Sequence, residues 1–158
     1  MKKKILDACC GSRMFWFDKQ NKNVIFTDIR DEDEILCDGR KLSIHPDMIA
    51  DCTKLPFTDK SFKLVVLDPP HLRRVGENSW MMKKYGRLPE DCPTFINNAV
   101  HESMRVLDDY GVLILKWNEN QIKVSRILEA ITDYKPLFGH PTRRNNTTIW
   151  LCFMKGID

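Results

Sequence analysis

Four aspartates in the first half of the chain are the residues best suited to do chemistry, because each one ends a short apolar or β-branched run. They are Asp7, Asp28, Asp51 and Asp68. Ligands of open α/β sheets bind beyond the carboxyl ends of the strands, so these acids predict one shared site. Asp28 follows Gly11 by about twenty residues, a spacing that suits hydrogen bonds to ribose hydroxyls. Gly11 stands almost alone, however, and the absence of a Gly-x-Gly-x-x-Gly motif argues against a dinucleotide site.

The segments that must position these acids are short and strongly patterned. Helical spacing of apolar residues predicts helices over 14–19, 93–106 and 121–131. Asp38-Gly39 predicts a small hairpin over 35–44, and the acidic run at 31–34 is most simply a solvated surface. Apolar and β-branched runs predict about seven strands, at residues 3–8, 23–27, 48–50, 62–67, 112–117, 134–138 and 148–154.

The alternation of these strands with helices or long connections predicts the fold class. It indicates an α/β protein with a Rossmann-like, mostly parallel sheet. No helix is predicted between the last two strands, so they should form an antiparallel pair. With 158 residues, we expect a single domain over 1–158.

Composition limits the classes of protein that the chain can belong to. No apolar run approaches the roughly 20 residues of a membrane-spanning helix, and an acid interrupts the N-terminus before a signal-peptide core forms. A soluble, cytoplasmic protein is therefore expected. The six cysteines lack the spacing of zinc ligands, which predicts reduced, mostly buried thiols and no metal. The net charge of +3 is too small to identify a nucleic-acid binder by itself.

The strand-end motifs, taken in order, resemble those of class I S-adenosylmethionine (SAM)-dependent methyltransferases. These motifs are Asp7-Ala-Cys-Cys-Gly-Ser-Arg13, Asp28, Asp51 and Asp68-Pro-Pro-His71. The resemblance covers nearly the whole chain, including the final antiparallel strand pair. Asp68-Pro-Pro-His71 is similar to the [Asn/Asp/Ser]-Pro-Pro-aromatic motif of members that methylate planar amino nitrogens such as adenine N6. The first motif is similar to their Asp-Pro-Phe-x-Gly-Ser-Gly loop.

The resemblance implies a role for each matching residue and SAM as the cofactor. The carboxylate of Asp68 and the carbonyl of Pro69 would accept hydrogen bonds from the target amine, in a turn completed by Pro70 and His71. The cofactor would be held at its methionine part by Asp7, Ala8, Cys9, Cys10 and Gly11, at its ribose by Asp28, and at its adenine by Asp51, Ile29 and Cys52.

The chemistry of a planar amine agrees with this role for the Asp-Pro-Pro turn. The lone pair of an exocyclic amine is delocalised into the ring, so the nitrogen is a poor nucleophile. Two acceptors beside it, on Asp68 and Pro69, can draw it toward tetrahedral geometry. The prolines stiffen the turn and remove competing N–H donors. A planar side chain at position 71 can stack on the base, and its imidazole is also a hypothetical proton acceptor.

The sequence departs from the family pattern at four positions. Arg13 replaces the third glycine of the loop, and Ala8 and Cys9 replace the usual Pro and Phe. His71 stands where Tyr, Phe or Trp is usual. These differences leave the cofactor affinity and the identity of the base open.

Basic and aromatic residues in three loops suggest a nucleic-acid substrate, because they combine phosphate contact with base stacking. The segment 72–88 is also compatible with a mobile lid. If the next-to-last strand is parallel, all three loops fall on the edge that carries Asp68. The residues concerned are Arg73, Arg74, Trp80, Lys83, Lys84, Lys116, Trp117, Arg143 and Arg144.

We therefore expect an enzyme that methylates a planar amino nitrogen, with adenine N6 in DNA or RNA as the first choice. Guanine N2, cytosine N4 and a protein or small-molecule amine are alternatives. A catalytically silent, nucleic-acid-binding scaffold of the same fold is a second class, and a dinucleotide-dependent oxidoreductase is a third. Substrate selectivity would come from the 72–90 loop, a homodimer or another partner.

Overall fold

The computed structural model describes residues 4–141 and 147–157. The strands among these residues are β1 (Ile5–Asp7), β2 (Val24–Asp28), β3 (Glu32–Ile35), β4 (Lys41–Ile44), β5 (Met48–Ile49), β6 (Phe62–Leu67), β7 (Leu107–Asn118), β8 (Phe138–Pro141) and β9 (Thr148–Met154). The helices in the same described ranges are α1 (Trp80–Tyr85), α2 (Cys92–Val106) and α3 (Val124–Ala130).

Seven of these strands form one sheet in the order β5-β2-β1-β6-β7-β9-β8. Neighbours from β5 to β7 pair in parallel, whereas β9 runs antiparallel to both β7 and β8. The predicted mostly parallel, Rossmann-like α/β sheet with an antiparallel final strand is therefore confirmed. Because β8 is parallel to β7, β8 ends at the edge of the sheet where β6 ends. The predicted strand at 134–138 lies a few residues later, at β8.

The core lies between the sheet and the helix α2. Asp91 caps this helix by accepting a hydrogen bond from the Thr94 N–H (3.2 Å), and Pro93 occupies its first turn. Its apolar stripe packs against β6, β7 and α3. The predicted periodicity at 93–106 is thus confirmed, with Ile96, Ala99, Val100 and Met104 buried along the stripe.

The helix predicted over 14–19 is wrong, because this segment is a series of turns. Arg13 has a positive φ of 55°, the left-handed conformation for which the family pattern has glycine. Its guanidinium donates to the carbonyls of Lys19 and His45 (2.7 Å each) and lies over the Phe26 ring. These contacts hold the segment in an irregular path, so tertiary bonding overrides the helical spacing.

The predicted hairpin is confirmed, but it begins earlier, within the acidic run. β3 pairs antiparallel with β4 across a turn that contains Gly39 (φ 81°). The acids of β3 are not simply solvated. Glu34 pairs with Lys83 at 2.5 Å, and Asp33 accepts a hydrogen bond from Ser43 and pairs with Lys41.

In the part of the chain that is described, no helix is long and apolar enough to cross a membrane.

Candidate functional site

A cavity of about 420 Å³ opens at the carboxyl edge of the sheet. It lies between the turns after β1, β2, β5 and β6 and the segment around α1. Predicted site residues that line it are Ala8, Cys9, Cys10, Gly11, Asp28, Ile29, Asp51, Cys52, Asp68, Pro69, Pro70, His71, Lys84 and Lys116. A volume of this size accommodates one drug-sized ligand.

The turn after β1 is tied to the end of β2. The Gly11 N–H donates to Asp28 Oδ2 at 2.8 Å, and the Arg30 N–H donates to Asp28 Oδ1 at 3.0 Å. The Arg30 guanidinium adds a longer contact of 3.3 Å to the same oxygen. A carboxylate offers about four acceptor positions, so Asp28 retains acceptor capacity toward the cavity.

Arg30 also connects this edge to the segment that covers the cavity. Its guanidinium donates to the Lys83 carbonyl at 2.7 Å. Helix α1 itself is capped by Ser79, whose hydroxyl accepts from the Met82 N–H at 3.1 Å. Residues 72–88 are therefore a partly helical cover held by specific bonds.

Ile29 and its neighbours form an apolar wall beyond Asp28. Although Ile29 lines the cavity, 68% of it is exposed. Ala50 and Cys52 are buried on the same side, and Asp51 accepts two hydrogen bonds from Thr53 on its Oδ1. A planar apolar ring placed here would cover Ile29.

Two cysteines of the cavity wall, Cys9 and Cys10, are held as protonated thiols. A hydrogen bond that the Cys9 thiol donates to Cys52, together with burial, raises the pKa of Cys9. Burial raises the pKa of Cys10 to about 12. Both thiols are therefore protonated and act as small apolar groups at neutral pH.

Asp7 lies beneath the cavity rather than in its wall. It is fully buried, and its carboxylate accepts from the Trp16 indole N–H (2.7 Å) and from the Cys9 N–H (3.3 Å). Burial raises the pKa of Asp7 to about 7, against the opposing effect of these two donors. The structure thus gives Asp7 a supporting position under the turn that it begins, without direct access to a ligand.

Asp68, at the end of β6, faces the cavity and is paired with Lys116 of β7. The Lys116 ammonium lies 2.5 Å from Asp68 Oδ2. It also lies 5.4 Å and 5.7 Å from the ring centres of Phe15 and Trp150, within cation–π range. Burial raises the pKa of Asp68, and the charge of Lys116 opposes that rise. Within the described residues, Asp68 Oδ1 has no hydrogen-bond donor.

His71 stands beside this pair. Its ring centre is 5.5 Å from that of Tyr85, with the rings tilted by 52°. Burial and the positive charge of Lys116 lower the pKa of His71, so its imidazole is neutral at pH 7. The end of the cavity near Asp68 thus combines an anionic acceptor with a neutral planar ring.

Several predicted substrate residues lie elsewhere. Trp117 is fully buried and donates to the Ile122 carbonyl at 2.9 Å, so it belongs to the core. Lys83 pairs with Glu34, and Trp80 packs against the hairpin. Arg73 and Arg74 are exposed and outside the cavity, and Arg143 and Arg144 lie outside the described residues. Lys116 lines the cavity and pairs with Asp68, and its contact with a substrate stays a prediction.

Sequence reasoning missed other residues of the cavity wall. Arg30 follows Asp28 by two positions, a proximity that signalled its place at this edge. Phe95 comes from the first turns of α2, and Met82 comes from α1. Nothing in the local pattern of these last two residues distinguishes them from ordinary helix positions.

No protein-family model matches this chain, and no curated protein sequence matches it. Solved structures do match. A TehB-like SAM-dependent methyltransferase from Corynebacterium glutamicum is 19% identical with a TM-score of 0.60, over 98% of this chain and 80% of that chain. A SAM-dependent methyltransferase from Methanosarcina mazei is 13% identical with a TM-score of 0.56, over 100% of this chain and 95% of that chain.

TrmN from Thermus thermophilus is 15% identical with a TM-score of 0.60. The match covers 98% of this chain and 44% of that chain. At identities this low, the TM-scores establish a common fold and no more. The chain therefore has the α/β fold found in SAM-dependent methyltransferases.

Proposed function

We propose that this chain is a SAM-dependent methyltransferase, organised as a single domain, that methylates a planar amino nitrogen, with adenine N6 of a nucleic acid as its substrate. One observation carries the proposal. Asp68 presents an acceptor oxygen at one end of the cavity, and Asp28 and Ile29 offer a carboxylate and an apolar wall at the other. These two ends match an amine and an adenosine.

The lining residues fit SAM. Asp28 has acceptor capacity for ribose hydroxyls, and the exposed Ile29 offers a face for adenine. At Gly11 an added Cβ would meet no atom within 4 Å, so there is open space beside this turn for the methionine part. When bound, SAM supplies a methyl group on a positively charged sulfur. A cavity of about 420 Å³ has room for one such ligand, so the target base would have to approach from the mouth of the cavity.

The target amine would be oriented by the acceptors of the Asp-Pro-Pro turn. One N–H donates to Asp68 Oδ1, and a second donates to the Pro69 carbonyl. With both N–H bonds directed to these acceptors, the nitrogen lone pair faces the methyl group. SAM held by Asp28, Ile29 and the turn at Gly11 would supply the methyl carbon to this nitrogen as its carbon–sulfur bond breaks, with the electron pair of that bond left on sulfur.

The surplus proton of the methylated nitrogen would pass to Asp68 Oδ1, along the hydrogen bond that oriented it. Burial makes this carboxylate a better base than an exposed one, because it raises the pKa. Lys116 keeps the carboxylate ionised before the reaction. Neutral His71 would stack on the base and avoid placing a second positive charge beside the sulfonium.

Two measurements test the proposal. Calorimetric titration with SAM and with S-adenosylhomocysteine, with NAD as the control, should give micromolar binding of the first two and none of NAD. Mass detection of methyl transfer should then identify the product among adenine, cytosine and guanine oligonucleotides, glutamine peptides and small amines. Binding of NAD alone would contradict the cofactor, and transfer only to oxygen or carbon would contradict the amine.

A further inference from the structure

A second cavity of about 520 Å³ lies beside the first, between the turn after β1 and the β3–β4 hairpin. We call it the basic groove, and define it by its four cations Lys19, Arg40, Lys41 and Lys84. Within the described residues, no acid lines it. The remaining lining residues are Ser12, Met14, Leu36, Leu42 and Ser43.

The hairpin that carries half of this groove is fixed to the rest of the fold. Leu36, Leu42 and Ile44 form a small buried cluster, against which Trp80 of α1 packs. Glu34 pairs with Lys83 at 2.5 Å and ties β3 to the same helix. The groove is therefore bounded by anchored elements.

The groove keeps a positive charge because its four cations outnumber the two acids that pair with them. Asp38 pairs with Arg40 at 2.6 Å, and Asp33 pairs with Lys41 at 3.3 Å on the hairpin. Lys19 and Lys84 make no ion pair with any described residue. The Lys84 ammonium lies 5.1 Å from the Tyr85 ring centre and 5.9 Å from that of Trp80. The groove thus has two uncompensated cations and two paired, exposed ones.

The basic groove is continuous with the first cavity. Ser12, Met14 and Lys84 line both. An anionic chain lying in the groove would pass the mouth through which a target base must enter. Met14 is 53% exposed at this junction and offers an apolar surface to a base or sugar.

We propose that the basic groove binds the phosphodiester backbone of a single-stranded nucleic acid. This inference rests on the proposed function, because it assigns the path of that substrate. A strand with unpaired bases can turn one base into the cavity while consecutive phosphates contact the cations. The path runs over the hairpin, whereas the sequence pointed to the loops at 72–88, 116–118 and 143–144.

The test measures binding without methyl transfer. The variant Lys19→Gln/Arg40→Gln/Lys41→Gln removes three cations that line only the basic groove. The matched control, Lys60→Gln/Lys63→Gln/Arg126→Gln, removes the same charge from exposed ion pairs elsewhere. The probes are fluorescein-labelled 12-nucleotide RNA and DNA strands of mixed sequence, followed by fluorescence anisotropy between about 50 and 200 mM salt.

We expect the groove variant to bind the strands at least about 30-fold more weakly at the lowest salt. Its log–log salt slope should fall by about 2, because each lost contact to a single strand contributes about 0.7. The control should stay within about threefold of the unaltered protein. Equal losses in both triple variants, or an unaltered protein that binds anionic phosphatidylserine vesicles but neither strand, would overturn the proposal.

Calorimetry with SAM separates this inference from the proposed function. The groove variant should bind SAM as the unaltered protein does, because its three positions do not line the first cavity. Weaker strand binding with unchanged SAM binding supports the groove. If SAM does not bind to the unaltered protein, the proposed function fails, while the binding data still decide the groove.

Discussion

Asp7 and Asp68 end neighbouring parallel strands at the same edge of the sheet, yet the fold treats the two carboxyl groups in opposite ways. Asp7 is fully buried and the Asp68 side chain is 23% exposed, and burial raises the pKa of both. Asp7 is bonded to neutral donors, the Trp16 indole and a backbone N–H. Asp68 is bonded to the Lys116 ammonium and faces the cavity.

The partner of a strand-end carboxylate, rather than its position in the sheet, therefore decides its use. The two neutral donors stabilise the charge of Asp7 less than burial destabilises it, so Asp7 becomes a partly protonated support. A cation at 2.5 Å stabilises the charge of Asp68 and leaves its other oxygen available. Substitutions at Asp7, Asp68, Lys116 and His71 test this difference between the two carboxyl groups.

The largest effect should come from substituting Asp68, with a substitution of Asp7 as its comparison. Asp68→Ala should lower methyl transfer by at least about 10³-fold, because it removes the acceptor of the amine. SAM affinity should stay within about tenfold, or roughly 1.4 kcal/mol. Asp7→Asn, the matched variant on the neighbouring strand, should change transfer by less than about tenfold. Steady-state kinetics and calorimetry measure both, and equal losses of transfer would refute the contrast.

Removing the partner of Asp68 should have the next largest effect. Lys116→Met should lower transfer by about 10²-fold and raise the pKa of Asp68 further, since the opposing charge is lost. The acid limb of the pH–rate profile should then move to higher pH, and Lys116→Arg should restore most of the rate. Carboxyl ¹³C NMR of Asp68 follows the same titration without turnover. An unmoved titration would show that Lys116 does not control the carboxylate.

Asp7→Asn should affect stability in a pH-dependent way. The folded protein holds the Asp7 proton with a pKa of about 7, well above its value in the unfolded chain. The contribution of Asp7 to the free energy of unfolding therefore falls as pH rises from about 4 to about 7, because the unfolded chain loses this proton first. The amide avoids this cost, so the variant should gain about 2.5 kcal/mol more at pH 8 than at pH 5. Urea unfolding at the two pH values measures the difference, which a pH-independent effect would contradict.

The smallest effect should come from His71→Phe. If the neutral imidazole only stacks, an aromatic ring should keep transfer within about tenfold. The profile between about pH 5.5 and 8 should keep its shape. A loss above about 10²-fold, with that part of the profile flattened, would instead make His71 the proton acceptor. SAM affinity serves as the control for folding.

The sheet and much of the cavity were predictable from local patterns. The runs at 62–67 and 148–154 are strands at the predicted residues. Short apolar runs rich in β-branched residues are typical of strands buried inside a sheet. The edge that gathers Asp28, Asp51 and Asp68 follows from parallel pairing, which brings all carboxyl ends together. The helix predicted at 14–19 was wrong because the spacing of apolar residues does not show which distant groups Arg13 and Trp16 bind.

The α/β class, the order of the strand-end acids and the Asp-Pro-Pro-His turn could be predicted from the sequence, because they depend on residues close together in the chain. The acid that faces the cavity and the cation that pairs with it became known from the three-dimensional fold. Lys116 is 48 positions from Asp68, and their contact exists because β7 pairs with β6 after the chain crosses over through α2. The basic groove likewise lies between the turn after β1 and the β3–β4 hairpin, and the sequence pattern of neither segment indicates that they are neighbours. Such pairings depend on which elements become neighbours, and that is settled by burial of the whole core.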